Sequence, residues 1–240
     1  CRSMVLCPGF VDTHTHSDMV LLHDGRQPAS ITQGVTTEIL GQDGLSYAPL
    51  SPDNLRSYVL YLKGIDGMFC DVPLDFTSTE QYLSRFEGKT GVNVAYLVPH
   101  CALRLETVGF ENRLLTPSEM MLAQTMLRQG IREGAKGLST GLSYFPGAFS
   151  DTEELVELCK AVANEGGVYV THLRTVFQGE RFDNVDEALE IARRSGVKLH
   201  FSHYRTGGET IGHTEKIMEK IDRAIEEGLD ITLELYPYPY

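Results

Sequence analysis

Short apolar runs alternate with longer amphipathic stretches along most of the chain. The apolar runs have the length of β-strands, and between them apolar residues recur every three or four positions, as on one face of a helix. The predicted strands cover residues 4–16, 35–41, 92–98, 135–142, 168–172, 197–203 and 230–235, and the predicted helices cover 27–33, 79–86, 116–133, 150–165, 183–195 and 215–227. This alternation is typical of repeated βα units around a parallel sheet.

Residues 45–91 interrupt the alternation with one long connection, which contains Pro49, Pro52 and Pro73. Within it, the segment 79–86 has the pattern of a capped helix, because Thr79 is followed by Glu80. Connections of this length usually carry structure of their own or take part in function.

The first predicted strand ends in Asp12-Thr13-His14-Thr15-His16. In a strand, residues i and i+2 point to the same side, so His14 and His16 should project together from a rigid element. Two imidazoles held in this way form half of a metal site. The alternative is a core histidine satisfied by a backbone carbonyl, and the strand-end histidines further along the chain favour metal ligands.

Further polar residues lie at the carboxyl ends of later strands, which in a βα barrel surround the functional site. They are Asp43, His100, Ser139, His172 and His203. An arginine follows two residues after each of the last two, at Arg174 and Arg205. This repeated arrangement favours metal ligands, although a buried structural imidazole remains an open alternative for either histidine alone. For His100 a structural role is at least an equal alternative, and His200 should face the opposite side of its strand.

Composition narrows the functions open to the chain. Its 21 Lys and Arg against 33 Asp and Glu give a net charge of −12, which argues against a nucleic-acid or anionic-membrane surface. No apolar run approaches the ~18 residues of a spanning helix, and the first residues do not form a signal-peptide core. The five cysteines include no Cys-x-x-Cys pair, which indicates a reducing cytoplasm without a disulfide framework.

The motifs of the chain resemble those of the amidohydrolase superfamily. The segment 8–16, Pro-Gly-Phe-Val-Asp-Thr-His-Thr-His, is similar to its first-strand motif. Later segments narrow the resemblance to the N-acyl-D-amino-acid deacylases, or D-aminoacylases. These segments are 34–37 (GVTT), 137–144 (GLSTGLSY), 171–174 (THLR), 202–205 (SHYR) and 236–238 (YPY). They recur in order across nearly the whole chain, so the resemblance is specific.

This resemblance implies a TIM-like (β/α) barrel of amidohydrolase type with a zinc centre of one or two ions, another divalent metal being the alternative. The implied metal ligands are His14, His16, Asp43, His172 and His203. Residues 1–240 are expected to form a single catalytic barrel domain.

Asp43 is the departure from the family pattern. The deacylases usually have Gly-Asn-Cys-Gly where this chain has Gly41-Gln42-Asp43-Gly44, and their cysteine ligates or bridges metal. The carboxylated lysine of other amidohydrolases is also missing, because Ser139 occupies the comparable position on the fourth strand. An aspartate is anionic and able to bridge two ions, although it is a harder ligand than a thiolate. The alternative is a simple turn residue, since Asp-Gly is a common turn signal.

The resemblance also implies the reaction, which is hydrolysis of the linear amide bond of an N-acyl-D-amino acid by metal-bound water. Tyr144 is expected to border the pocket of this small-molecule substrate and to donate to the oxyanion, as catalytic and substrate-binding residue. Arg205 and Arg174 are expected to bind the substrate carboxylate, because a planar guanidinium holds a carboxylate bidentately. A solvated position at the barrel rim is the alternative for both arginines.

Two other functions remain open. A cyclic-amide hydrolase of the dihydroorotase or hydantoinase kind shares the histidines, but the missing lysine and the segment Ser143-Tyr144-Phe145-Pro146-Gly147 argue against it. A non-catalytic relative would use the barrel as an assembly surface, but such relatives tend to lose metal ligands. The retention of four histidines favours an enzyme.

The barrel is expected to be incomplete, with strands 1–7. The sequence offers neither an eighth strand nor the small β-sandwich that usually flanks the barrel. The general base of amidohydrolases, an aspartate at the end of strand eight, is therefore expected outside these residues. An open barrel leaves strand edges unpaired, so a further chain segment or a second chain is the expected partner, and a homo-oligomer remains open.

Overall fold

The fold is given by a computed structural model, which describes residues 4–174, 176–177, 180–181, 184–204 and 212–235. Its strands are β1 (Phe10–Asp12), β2 (Val35–Leu40), β3 (Asn93–Tyr96), β4 (Val98–Pro99), β5 (Gly137–Gly141), β6 (Val168–His172), β7 (Val176–Phe177), β8 (Glu180–Arg181), β9 (Lys198–Phe201) and β10 (Ile231–Leu233). Its α-helices are α1 (Asp18–His23), α2 (Pro28–Ile31), α3 (Pro52–Leu62), α4 (Thr79–Leu83), α5 (His100–Thr107), α6 (Pro117–Arg132), α7 (Thr152–Asn164), α8 (Asn184–Ser195) and α9 (Thr214–Glu226).

Most strands lie in two parallel sheets, one with the order β1-β2-β3 and the other with the order β10-β9-β6-β5-β4. Only Leu97 separates β3 from β4, and its amide donates to the Leu40 carbonyl at 3.1 Å, so the two sheets continue into each other. β7 and β8 form a separate antiparallel pair. The predicted alternation of parallel strands and helices is confirmed.

The first and last strands of this continuous sheet approach each other at their carboxyl ends. Glu234, directly after β10, accepts a hydrogen bond from Thr13 Oγ1 at 2.6 Å, and Thr13 directly follows β1. Within the described ranges no backbone pairing joins β10 to β1, so no closed barrel is observed. The side-chain contact nevertheless brings the ends of all the parallel strands towards one space.

The first strand differs from its prediction. Residues 4–9 form no strand, and Met4, Val5 and Leu6 are 69%, 93% and 92% exposed. The expected buried strand over 4–16 is therefore wrong in length and in burial. β1 pairs on one side only, with β2, and its register shifts between Phe10 and Val11. A single short ladder gives the preceding apolar residues nothing to pack against.

Side-chain caps begin two of the predicted helices. Thr116 accepts from the Glu119 amide and Glu119 accepts from the Thr116 amide, which is a capping box directly before α6. Asp151 caps α7 by accepting from the Glu154 amide at 2.9 Å. These two helices pack against each other, and α7 also packs on β6.

Several short elements were missed by the pattern of apolar residues, namely α1, α3, α5 and the β7–β8 pair. α3 lies within the long connection and buries Leu55, Tyr58 and Leu62 in the hydrophobic core. α5 begins at His100, which was expected to end a strand, because Pro99 both stops β4 and occupies the N-cap position. No helix within the described ranges combines the length and the apolar character needed to cross a lipid bilayer.

Candidate metal centre

Five side chains converge at the carboxyl ends of the strands. They are His14, His16, Asp43, His172 and His203. They form two groups of three that share Asp43, and the donor atoms of each group lie within 4.8 Å of one another. The structure thus brings together all the side chains that were expected to hold metal.

Asp43 lies at the centre of this cluster. Its Oδ2 is 3.5 Å from Nε2 of both His14 and His16 and 3.6 Å from Nδ1 of His172, and its Oδ1 is 3.4 Å from Nε2 of His203. These distances exceed the roughly 2.7–3.2 Å of N–H···O hydrogen bonds. They match the roughly 3.3–3.5 Å between two ligands of a tetrahedral ion that is bound at ~2.0–2.2 Å. The spacing therefore fits ions shared between the carboxylate and the imidazoles.

The chemistry of the donors also fits a divalent metal. Four imidazoles and one carboxylate are the nitrogen and oxygen ligands that zinc and related ions take in proteins. Nδ1 of His172 and Nε2 of His203 face each other at 2.8 Å, so a shared proton or cation must lie between or beside them. Nδ1 of His16 is buried and has no hydrogen-bond partner among the described atoms, which leaves it for an ordered water or another small ligand.

A strained turn presents Asp43 to the cluster. The turn is a short 3-10 helix, Gln42–Gly44, in which Asp43 has φ 55°, a left-handed conformation that aspartate tolerates better than most residues. Ser139 on β5 ties this turn down, since its hydroxyl accepts from the Gly44 amide at 3.0 Å and donates to the Gly41 carbonyl. The turn prediction and the ligand prediction for Asp43 are therefore compatible in one structure.

Glu234 orients His14 from the other side. Its carboxylate pairs with Nδ1 of His14, which leaves Nε2 of the same ring pointing at Asp43. A carboxylate on the far nitrogen of a metal-binding histidine fixes the ring and its tautomer. Sequence reasoning missed Glu234, and the available signal was its position at the end of the last predicted strand.

Electrostatics within the cluster favour ionised carboxylates. Burial opposes ionisation of Asp43, but the four surrounding imidazoles hold its pKa well below the ordinary value. Burial likewise opposes ionisation of Glu234, and His14 and His200 lower the pKa of that carboxyl. For His14 burial lowers the pKa, but Asp43 and Glu234 outweigh it and raise the pKa to about 9. The same balance of burial against Asp43 raises the pKa of His16. The two carboxylates therefore attract cations into this space.

Tyr144 lies beside the cluster, in the turn that follows β5. Its half-buried ring has its centroid 5.1 Å from that of His172. This location agrees with a residue at the border of a pocket around the five converging side chains.

The two arginines have different outcomes. Arg174 is 1% exposed, and its guanidinium donates to Glu187 Oε2 at 3.0 Å and to the Ser150 carbonyl at 3.0 Å. These partners lie outside the five-residue cluster, so the structure favours an internal ion pair over the predicted contact with a substrate carboxylate. Arg205 lies outside the described residues.

The other histidines at or near strand ends serve internal contacts. His100 is fully buried, and its Nε2 is 2.9 Å from Glu154, which also binds the buried Arg104. Burial is the main cause of the lowered pKa of His100. His200 contacts Thr232 Oγ1 at 2.7 Å and Glu234 at 3.4 Å. Of these, only His200 is linked to the cluster, through Glu234.

The chain is similar in sequence to deacylases of D-amino acids. It is 31% identical over 237 residues to the N-acyl-D-glutamate deacylase of Alcaligenes xylosoxydans xylosoxydans and 32% identical over 238 residues to the D-aminoacylase of that organism. Both alignments cover 98% of this chain and 47% of the relative. The chain thus spans about half the length of the curated relatives it matches. No protein-family model matches it.

Solved structures give the same result. The crystal structure of D-aminoacylase, described as defining a novel subset of amidohydrolases, matches with a TM-score of 0.80 and 31% identity, over 96% of this chain and 48% of that one. The N-acyl-D-glutamate deacylase from Bordetella bronchiseptica, complexed with zinc and a phosphonate mimic of the tetrahedral intermediate, matches with a TM-score of 0.83 and 31% identity, over 97% and 48%. An L-hydantoinase from Arthrobacter aurescens, at 18% identity and a TM-score of 0.50, shares the fold.

Proposed function

We propose that this chain, a homologue of the D-aminoacylase amidohydrolases over nearly its whole length, forms the metal centre of an N-acyl-D-amino-acid deacylase. The reaction is hydrolysis of the linear amide bond, which releases a carboxylic acid and a free D-amino acid. The metal is zinc, with one or two ions, as the ligand types and the zinc-complexed relative suggest.

The observation that carries the proposal is the arrangement around Asp43. Four imidazoles surround one buried carboxylate at 3.4–3.6 Å, in two groups of three. Histidines that served only to hydrogen-bond Asp43 would instead lie at the ordinary distance of about 2.7–3.2 Å from it. Asp43 is suited to bridge two ions, because it presents Oδ2 to three rings and Oδ1 to the fourth.

Zinc held by these residues supplies a water of lowered pKa and polarises the amide carbonyl. Glu234 keeps His14 in the orientation and tautomer that point Nε2 inward. The Tyr144 hydroxyl is assigned to donate a hydrogen bond to the oxygen that becomes negatively charged. Arg205 is assigned to the substrate carboxylate on the basis of its sequence position two residues after His203.

We also propose that the two connected sheets belong to a (β/α) barrel of amidohydrolase type that encloses the metal centre in a single catalytic domain. The support is the contact of Glu234 with Thr13, which brings the ends of β10 and β1 together. The buried free thiols of Cys101 and Cys159 support a cytoplasmic setting.

The test combines metal analysis with a substrate screen. Purified protein is stripped with a chelator, reloaded with zinc, and assayed by mass spectrometry for metal and by amine release for activity on matched N-acetyl-D- and N-acetyl-L-amino acids. We expect bound zinc, and turnover of the D series once the general base expected outside residues 1–240 is supplied by a further segment or a second chain. Hydrolysis of a hydantoin without turnover of either series would instead establish a cyclic-amide hydrolase.

Two variants compare a histidine of the proposed metal centre with a histidine on the surface. His172→Gln should lose both zinc and turnover. His23→Gln should keep both, because His23 lies at the end of α1 and contacts Asp71 and Phe69 on the surface. Equal zinc content in the two variants would contradict the assigned centre.

A further inference from the structure

Aromatic side chains form a partly exposed patch beside the turn that follows β5. Tyr61, Phe110 and Phe145 are 42%, 47% and 45% exposed. The ring centroids of Tyr61 and Phe110 lie 5.8 Å apart, and those of Phe145 and Phe149 lie 4.8 Å apart. We call these four residues the aromatic wall. Exposed apolar clusters of this kind usually mark a binding surface.

The turn after β5 connects the wall to the metal centre. Tyr144 places its ring 5.1 Å from that of His172, and the next residue, Phe145, extends into the wall. The Phe145 amide donates to the Tyr61 hydroxyl at 3.2 Å, which fixes the turn against the end of α3. A substrate whose amide lies at the cluster beside Tyr144 therefore has the wall within reach of one of its two halves.

Charge decides which half of the substrate fits there. The amino-acid half of an N-acyl-amino acid carries a carboxylate, and a carboxylate taken from water to an apolar surface needs a cation. Of the described cations that adjoin the wall along the chain, Arg113 pairs with Glu119 and Arg104 pairs with Glu154, whereas Lys63, exposed at the end of α3, has no ion pair among the described residues. The uncharged acyl half needs no cation at all, so the wall can bind it without Lys63.

We infer that the aromatic wall binds the acyl group, and that the protein prefers acyl chains longer than acetyl. This inference rests on the deacylase activity proposed above and specifies the substrate class of the same site. A fully buried methylene contributes roughly fourfold to binding. A wall that covers one side of the chain should contribute about twofold per methylene, or about sixteenfold for the four methylenes that distinguish hexanoyl from acetyl.

The test measures kcat/KM for the N-acetyl and N-hexanoyl derivatives of one D-amino acid, with zinc-loaded protein. The unmodified protein should favour the hexanoyl substrate by about sixteenfold. Phe110→Ser and Phe145→Ser should each reduce this ratio by about three- to fivefold. The matched control is Leu122→Ser on α6, which removes a similarly exposed apolar side chain (46%) away from the wall and should leave the ratio unchanged.

Binding of the product acids gives a second readout that does not depend on turnover. In isothermal titration, hexanoate should bind more tightly than acetate, and the two wall variants should reduce that difference. If the acetyl substrate is turned over but the hexanoyl-to-acetyl ratio of kcat/KM is near one, the inference fails and the proposed function stands. The same holds if the wall variants leave that ratio unchanged. Wall variants that lower the thermal unfolding temperature without changing the ratio would identify the patch as a protein contact. Absence of turnover on both substrates, in protein that includes the general base expected outside residues 1–240, would overturn the proposed function as well.

Discussion

At the scale of single residues, Asp43 is the side chain shared by both halves of the candidate centre. Asp43→Ala removes the only carboxylate of the two described donor groups, so the repulsion between imidazole-bound cations is no longer offset. We expect zinc affinity to fall by well over the roughly 10–100-fold that loss of an indirect partner costs. Mass spectrometry of dialysed protein and titration with a chromophoric chelator measure this change.

Two further variants test the chemistry of this position. Asp43→Cys should recover part of the zinc affinity, because a thiolate is also an anionic zinc ligand. Asp75→Ala is the control, since Asp75 is an exposed carboxylate paired with Arg85 on the surface. Full zinc content and activity in Asp43→Ala would reduce Asp43 to a turn residue.

Arg174 illustrates a different residue-scale outcome. Because its guanidinium is buried against Glu187, Arg174→Met leaves an uncompensated buried carboxylate. We expect the free energy of unfolding to fall by about 3–5 kcal/mol in urea titrations. The double variant Arg174→Met/Glu187→Leu should recover a large part of this loss. A raised KM for acyl-amino acids at unchanged stability would instead restore the substrate role.

The sequence predicted which side chains converge at the strand ends but not the partner of Arg174, for a physical reason. A polar residue at the end of an apolar run is visible in the sequence, as for His172 and Asp43. The direction of a long side chain depends on which acid folds next to it. Glu187 lies thirteen positions from Arg174 on α8, and no local pattern shows which side chain of this helix comes to lie beside Arg174.

At the scale of elements, the contact between β5 and the turn after β2 positions the centre. Ser139→Ala removes both hydrogen bonds that tie the Gln42–Gly44 turn to β5 and leaves two buried backbone groups unpaired. We expect a loss of about 1–3 kcal/mol in unfolding free energy. Zinc affinity should also fall, by roughly 10–100-fold, because the turn no longer holds Asp43.

A surface serine provides the comparison for this variant. Ser84 donates to the Gln81 carbonyl at 2.7 Å on an exposed helix end, so Ser84→Ala removes a similar bond away from the site. It should change neither zinc affinity nor, by more than about 0.5 kcal/mol, the unfolding free energy. Unchanged zinc affinity in Ser139→Ala would show that the turn holds its shape without β5.

Elements with strong local signals were predicted closely, and those defined by long-range pairing were not. The capping box at Thr116 and Glu119 fixed the start of α6, and the apolar run of β6 ends at His172 in both the prediction and the structure. β1 failed because strand length depends on its partners, and one edge ladder supports only three residues. β7 and β8 failed because two-residue strands carry no periodicity.

At the scale of the whole molecule, the ends of the curved sheet meet at a cluster that must bind either protons or metal. In metal-free protein the folded pKa of His14 is raised from 6.5 to about 9 by Asp43 and Glu234, against the effect of burial. A raised folded pKa contributes stability that is complete below 6.5 and lost as pH rises towards 9. The contribution is on the order of 2–3 kcal/mol.

The two carboxylates change the stability with pH in the opposite direction. The folded pKa of Asp43 and that of Glu234 are lowered from 3.8 and 4.5, so their stabilisation is present above those values and lost on acidification. The combined contribution of His14, Asp43 and Glu234 to the stability of metal-free protein should therefore be greatest between about pH 4.5 and 6.5, and it should fall from pH 6.5 to 9.

Bound zinc should reverse this fall in stability at alkaline pH. A coordinated imidazole is deprotonated at the ligating nitrogen, so zinc competes with protons and binds more tightly as pH rises. Since zinc binds the folded state, its stabilisation should grow from pH 6 to 8 while that of the metal-free protein declines. Thermal unfolding with and without zinc at several pH values measures both slopes. The difference between the two pH dependences should be smaller in His14→Gln, because this variant lacks the group that exchanges a proton for metal. If stability changes with pH in the same direction with and without zinc, the five side chains do not act as one cation site.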